Sequence, residues 1–242
     1  MKLQQVMSHV RRAIDDFQMI EEGDKIAIGI SGGKDSLTLL YALSGLRRYY
    51  PKHFSLHAVT IDLGFQNMNL DQITALCQEL DVPYSIIKTD IGKIIFEERQ
   101  EENPCALCKM RKGALNNAMK ELGCNKVAYA HHKDDVVTTM MLSLIYEGRF
   151  HTFSPVTYLD RADMTVIRPL IYMQEADVIG FVHKYNVPVV KSPCPADGNT
   201  KREYINQLLK QLNRENPGVK DRMFTAILNS IMEGWSINHG EE

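Results

Sequence analysis

The residues richest in chemistry are Ser31-Gly32-Gly33-Lys34-Asp35-Ser36. They follow an apolar, strand-like run, Lys25 to Ile30, and precede a helical pattern, Leu37 to Leu43. A strand, a glycine turn and a helix start make an anion site. The first N–H groups of the helix lack intrahelical partners, and the helix dipole favours negative charge there. Two glycines let a phosphate approach the backbone closely. Ser31 and Ser36 can donate hydroxyls, Lys34 can offset phosphate charge, and Asp35 can hold Mg²⁺. The spacing is neither that of a Walker A loop nor that of a Gly-x-Gly-x-x-Gly fingerprint.

Sulfur chemistry is the second theme. Cys105 and Cys108, in Pro104-Cys105-Ala106-Leu107-Cys108, precede Lys109, Arg111 and Lys112. Two intervening residues put both thiols on one side of a turn or first helical turn, where one metal can reach both. Helix N–H groups and nearby cations also favour the thiolates. A metal or cluster site, a redox pair and an incidental pair all remain open on this spacing. Cys194 lies in Ser192-Pro193-Cys194-Pro195. Its flanking prolines hold an extended loop, a good mount for a ligand. Three thiolates from two segments can hold three irons of a [4Fe–4S] cluster and leave the fourth open. Zinc competes, but a structural zinc site takes four protein ligands, and no fourth is evident. Cys77 sits in a helical apolar pattern and Cys124 beside a strand, so both read as core residues.

The run His131-His132-Lys133-Asp134-Asp135 joins a strand end to a helix start, where His131 and Asp135 are placed to touch a nucleotide or substrate. First-turn acids also stabilise a helix on their own. Asp62, at another strand end, is a candidate for ribose or adenine contact. A basic surface can be assembled from Arg11, Arg12, Arg47, Arg48, Lys109, Arg111, Lys112, Lys201, Arg202 and Arg214, with Lys109, Arg111 and Lys112 favoured because they border the cysteine pair. Met140, Met141, Leu144 and Ile145 read as a helix stripe facing the core.

The elements that must position these groups alternate. Strands are expected at 25–30, 57–62, 83–88, 126–130 and 165–170. Helices are expected at 3–20, 69–80, 132–146, 174–185 and, broken at Asn216-Pro217-Gly218, over 200–232. Segment 150–164 reads as a hairpin or loop. Alternation of this kind predicts an α/β fold with a parallel five-stranded sheet covered on both faces, binding ligands at the strand carboxyl ends. The 242 residues and 44% apolar content suit one such domain with a small appended segment. A net charge of −2 excludes a strongly basic nucleic-acid binder but not a local basic face. No apolar run reaches the ~18–20 residues of a membrane span, and the charged N-terminus shows no secretory signal. A cytoplasmic protein with no membrane partner is expected.

Ser-Gly-Gly-x-Asp-Ser resembles the PP-loop of the ATP-pyrophosphatase superfamily, which cleaves ATP between its α and β phosphates. The loop, the Cys105/Cys108 pair, the His131–Asp135 run, Ile167-Arg168-Pro169-Leu170 and the late Pro-Cys together resemble the tRNA 2-thiocytidine synthetases. The resemblance covers about residues 20 to 230. It implies a Rossmann-type PP-loop sandwich, ATP, Mg²⁺ and a [4Fe–4S] cluster. It also implies thiolation of cytidine 32 in tRNA, a sulfur donor such as a cysteine desulfurase or sulfide, and a homodimer. Carried onto this sequence, Ser31 to Ser36, Asp62, His131 and Asp135 bind the nucleotide, with Mg²⁺ on Asp35. Cys105, Cys108 and Cys194 hold the cluster, and Lys34, Asp35, Cys105 and Cys194 carry the catalysis. Relatives often show Pro-Cys-x-x-Cys-Gly where this chain has Pro193-Cys194-Pro195-Ala196-Asp197-Gly198, so Asp197 replaces a second cysteine. The expected organisation is an N-terminal helix (1–22), a PP-loop ATP-pyrophosphatase domain with the iron–sulfur site (23–198) and a C-terminal helical segment (199–242). The alternatives are a persulfide on Cys105 or Cys194, a PP-loop ligase, and a non-catalytic iron–sulfur or nucleotide sensor.

Overall fold

A computed structural model describes residues 1–64, 70–95, 104–190 and 201–237, with side chains from Met110 onward in the helix that begins at Pro104. The strands are β1 (Asp24–Gly29), β2 (Phe54–Asp62), β3 (Tyr84–Lys88), β4 (Lys126–Ala128), β5 (Val156–Leu159) and β6 (Met164–Ile167). The helices are α1 (Leu3–Asp16), α2 (Lys34–Leu46), α3 (Asp71–Glu79), the single turn α4 (Ile91–Lys93), α5 (Pro104–Glu121), α6 (Lys133–Glu147), α7 (Glu175–Tyr185), α8 (Lys201–Glu215) and α9 (Val219–Leu228).

The sheet order is β3-β2-β1-β4-β6-β5. The first five of these are parallel to their neighbours, while β5 pairs antiparallel with β6, Val156 opposite Ile167. The sheet therefore has six strands where five parallel ones were expected. The segment read as a hairpin or loop is a hairpin whose outer arm extends the sheet, turning at Asp163 in the left-handed region. The helix expected over 3–20 stops at Asp16, because Gln18 takes a positive φ of 48°.

Both faces of the sheet are covered, so β1 is a continuous apolar run rather than an alternating one. Ile26 and Ile28 pack into a core with α1, α2, α6 and α7, and Ala27 between them faces a second core containing Val59, Leu115, Met119 and Val127. Cys77 and Cys124 are buried as expected, and burial raises both thiol pKa values, Cys77 to about 11. The α6 stripe is only half core. Met140 is buried and Met141 half-buried, whereas Leu144 and Ile145 are 42% and 47% exposed. At the end of α6, Lys201 of α8 lies over the Tyr146 ring.

The strand order reverses between β1 and β4. In open parallel sheets the crevice at such a switch, beyond the strand carboxyl ends, is where ligands sit. The phosphate-loop candidate leaves β1 at this point, and the His131 run leaves β4.

Candidate active site

Gly32 turns the chain out of β1 with φ +81°, and α2 begins two residues later. A Cβ at Gly32 would lie 3.2 Å from Val190 Cβ, so the position requires glycine for both conformation and space. Val190 N–H donates to the Gly32 carbonyl at 2.9 Å, which pins the loop to the chain after α7. Inside the loop, Ser36 Oγ donates to Gly33 O at 3.0 Å and lies 3.2 Å from Ser31 Oγ. Gly33 N–H donates to Ser31 Oγ at 3.3 Å. These bonds tie the loop into one shape before any phosphate arrives.

Lys34 Nζ lies 3.0 Å from Asp35 Oδ2 and 3.2 Å from Glu175 Oε1. Burial alone would lower the Lys34 pKa, but the two carboxylates outweigh it and hold the pKa above the usual lysine value. The group is a firm cation at the mouth of the loop.

Beside the loop lies a cavity of about 500 Å³. Ser31, Asp35 and Ser36 line one side, Ile61 at the end of β2 and Leu63 just after it a second, and His131 with Phe153 a third. Arg111, Lys112 and Leu115 of α5 and Arg202 of α8 close it. His131 rests against the Phe153 ring, centroids 4.8 Å apart, and meets Tyr129 edge-on. Burial first, and the Arg168 cation next, push its pKa down to about 4, against the opposing pull of Asp135. His131 is therefore neutral at physiological pH, and its buried Nδ1 has no hydrogen-bond partner among the described residues. Arg168 sits behind this wall. It donates to Ser154 O at 2.6 Å and Thr157 Oγ1 at 3.0 Å, with its guanidinium 5.0 Å over Phe153. Burial lowers its pKa to about 10, which leaves it charged.

Asp135 caps the start of α6 by accepting from His132 N–H at 3.0 Å, and it is paired with Arg202. Burial would raise its pKa, but the His132 ring, the His132 N–H and Arg202 hold it below the usual carboxylate value. The buried His132 Nε2 stands between Asp35 Oδ1 (3.7 Å) and Asp135 Oδ2 (3.5 Å). Mg²⁺ binds through one or two carboxylates plus phosphate oxygens rather than in an all-protein cage. Asp35 and Asp135, both on the cavity, suit that donor set. Among the described residues no group of three or more metal-ligating side chains forms a ready-made cation site.

A PP-loop domain profile matches residues 5–212. The chain is 38% identical over 232 residues to the tRNA-cytidine(32) 2-sulfurtransferase of Geobacter sulfurreducens, covering 94% of this chain and 90% of that one. The chain belongs to the tRNA-cytidine(32) 2-sulfurtransferase family. This is a family of PP-loop transferases whose substrate is tRNA. The family protein of Pelobacter propionicus is 39% identical over 224 residues, covering 91% of this chain and 83% of its own. Among solved structures, the U34-tRNA thiolase NcsA from Methanococcus maripaludis with its [4Fe–4S] cluster superposes with a TM-score of 0.74 at 25% identity. The match covers 92% of this chain and 76% of that one.

Against this family frame, the structure gathers Ser31, Asp35, Ser36, His131 and Asp135 on one cavity. Gly32, Gly33 and Lys34 form the loop beside them. Asp62 is not brought in: its Oδ1 accepts from Gly64 N–H at 3.0 Å, so the carboxylate closes its own turn while Ile61 and Leu63 line the cavity. Cys194 and Asp197 lie outside the described residues. Cys105 and Cys108 fall in the first turns of α5, whose side chains are described only from Met110. Further along the same helix, Arg111, Lys112 and Leu115 line the cavity. Of the basic residues bordering the cysteine pair, Arg111 and Lys112 belong to the cavity itself.

Sequence reasoning missed Tyr129, Phe153, Arg168's packing role and Glu175. Tyr129 had a signal, since it sits two residues before His131 and shares its side of an extended chain. Phe153 and Glu175 had none, because their places are set by tertiary contacts alone. No described helix is long and apolar enough to cross a membrane.

Proposed function

We propose that this protein is an ATP-dependent tRNA thiolase that replaces the C2 oxygen of cytidine 32 with sulfur. The observation that supports it best is the shared cavity: the phosphate loop forms one side, and Arg111, Lys112 and Leu115 of α5, the helix whose sequence includes Cys105 and Cys108, close another. ATP places its phosphates on residues 31–36, with Mg²⁺ at Asp35. The cytidine C2 oxygen attacks the α-phosphorus, the bond to the β-phosphate oxygen breaks, and pyrophosphate leaves with that electron pair. Lys34 and the loop N–H groups stabilise the charge that builds on the phosphoryl oxygens, a preorganised electrostatic effect. Sulfide then adds at C2, and AMP departs with the former C2 oxygen.

The [4Fe–4S] cluster named for the archaeal neighbour fits the cysteine set of this chain. Cys105, Cys108 and Cys194 would hold it, and when bound it supplies an iron not ligated by protein at which sulfide can be held. Chain connectivity supports the third ligand. Val190 is bonded to Gly32, and position 194 is four residues further, at most about 14 Å along an extended chain. His131, neutral and packed on Phe153, walls the space for a nucleobase and keeps water from it. Arg111 and Lys112 meet the tRNA backbone at its mouth. The reading extends to residues 23–198 as the PP-loop unit flanked by helical segments 1–22 and 199–242. It further extends to a cytoplasmic homodimer, in keeping with the exposed Leu144 and Ile145, and to sulfide from an outside donor such as a cysteine desulfurase.

The test is mass spectrometry of nucleosides from tRNA treated with the anaerobically reconstituted protein, ATP, Mg²⁺ and sulfide. The reading predicts 2-thiocytidine confined to position 32 and formed far more slowly with Lys34→Ala. Unmodified cytidine 32 alongside a thiolated base elsewhere would contradict it.

A further inference from the structure

The N-terminal turns of α6 and α7 open onto the same rim as the phosphate loop, and the first turn of α9 straddles both. Lys133 of α6 pairs with Asp221, and Gln174, just before α7, donates to Asp221 at 3.1 Å. The neighbouring Lys220 pairs with Asp134 of α6. The other oxygen of Asp134 accepts from the Glu175 N–H at 2.7 Å, and Glu175 Oε1 lies 3.2 Å from Lys34 Nζ. A continuous set of contacts, Lys220 to Asp134 to Glu175 to Lys34, thus joins the C-terminal segment to the phosphate loop. Neither Glu175 nor Lys220 lines the cavity. Asp134 is 14% exposed at its side chain, and burial would raise its pKa. The Lys220 bond and the Glu175 N–H outweigh that and hold it below the usual carboxylate value.

The geometry has a consequence for nucleotide binding. Lys34 divides itself between Asp35, its neighbour in sequence, and Glu175, fixed on another helix. When Asp35 turns to Mg²⁺, its hold on the ammonium weakens. Glu175 then keeps the flexible lysine aimed along the loop. The start of α7 stays in place because its first-turn N–H is held by a carboxylate that α9 anchors. We infer that Glu175 is a positioning residue for Lys34, and that Lys220 positions Glu175 through Asp134, so that the C-terminal segment completes the nucleotide site. The inference rests on the reading that the triphosphate docks at residues 31–36.

The experiment is direct titration of the intact, reconstituted protein with MgATP, together with kcat and KM for pyrophosphate release in the presence of tRNA. Glu175→Gln is expected to weaken MgATP binding and raise KM about fivefold, the ratio a partly exposed ion pair supports, with kcat within about twofold. Glu175→Asp should recover part of the loss. Lys220→Met should weaken MgATP about threefold in the wild-type background and add nothing in the Glu175→Gln background, because it acts through that carboxylate. Lys220→Gln replaces it if the methionine variant does not fold. Wild-type affinity in Glu175→Gln, or an equal Lys220 effect in both backgrounds, overturns the inference. Ser36→Ala run in parallel separates the two claims. If it abolishes MgATP binding while Glu175→Gln keeps wild-type affinity, only the positioning role falls; if it leaves binding intact, the docking reading falls and the inference with it.

Discussion

The phosphate-loop side of the cavity comes from six consecutive residues, whereas the facing side takes Arg111 from α5, His131 from beyond β4, Phe153 from before β5 and Arg202 from α8. The first is held by hydroxyl bonds spanning two to five residues. The second is held by charge pairs between residues 67 to 88 apart: Arg202 with Asp135, Lys220 with Asp134 and Lys133 with Asp221. A local loop keeps its shape once its strand and helix exist. A wall assembled from distant segments depends on the whole fold and on the charge state of each partner. Damage to the loop should therefore strike chemistry, and damage to the wall should strike affinity and pH tolerance.

The sharpest way to break that contrast is Lys34→Ala. It is expected to lower kcat for pyrophosphate release by about 10²–10³, the cost of losing one preorganised donor, while Tm hardly moves. The side chains it pairs with are partly exposed, so the lost ion pairs are worth under ~1 kcal/mol. A large fall in Tm would show that the loop is not the independent unit described.

Acid should test the wall. His131 has its pKa depressed to about 4 from 6.5, so between these values the unfolded chain binds a proton that the folded one refuses. Stability therefore falls as pH drops from about 6.5 to about 4, by on the order of 2–3 kcal/mol. His57, also lowered by burial, contributes in the same direction. Asp134 and Asp135 act below this window, since both are held under their ordinary 3.8 and lose their contribution only as pH falls further. Urea midpoints across this range should fall less steeply for His131→Phe than for wild type. Parallel slopes would remove His131 from the account.

Gly32→Ala is the intermediate case, because Gly32 joins loop to wall through Val190. A positive φ and a Cβ 3.2 Å from the Val190 side chain should cost about 1–2 kcal/mol of stability and weaken MgATP roughly tenfold. Calorimetry of the free and MgATP-loaded variant reads both. The smallest effect is expected from Arg202→Gln, which frees Asp135. KM for tRNA should rise about threefold to fivefold, as for loss of one charge contact. An unchanged KM for tRNA would place Arg202 outside the tRNA-facing wall.

The same contrast explains what could be read from the chain. The loop was legible because all its chemistry is contiguous and its flanks carry strand and helix patterns. The parallel sheet followed from the alternation, and the C-terminal helices break at Asn216-Pro217-Gly218 as expected, α8 ending at Glu215 and α9 starting after Gly218. β5 escaped because four residues on a sheet edge are specified by pairing with β6, not by their own pattern. A strand-end acid such as Asp62 can serve a ligand or its own turn, and its Oδ1 accepts from the Gly64 N–H. Leu144 and Ile145 keep the period of a core stripe although both are exposed. Glu175 and Lys220 show no motif, since a single charge acquires meaning only from the partner that folding delivers.

The central claim is that ATP activation and sulfur delivery share one cavity. A crystal structure of the anaerobically reconstituted protein with an unhydrolysed ATP analogue, collected at the iron absorption edge, tests it most directly. The account predicts triphosphate density on residues 31–36 and an anomalous iron signal ligated by Cys105, Cys108 and Cys194 within the space bounded by His131 and Lys112. Iron bound on a different face of the molecule, with the nucleotide in place, would contradict it.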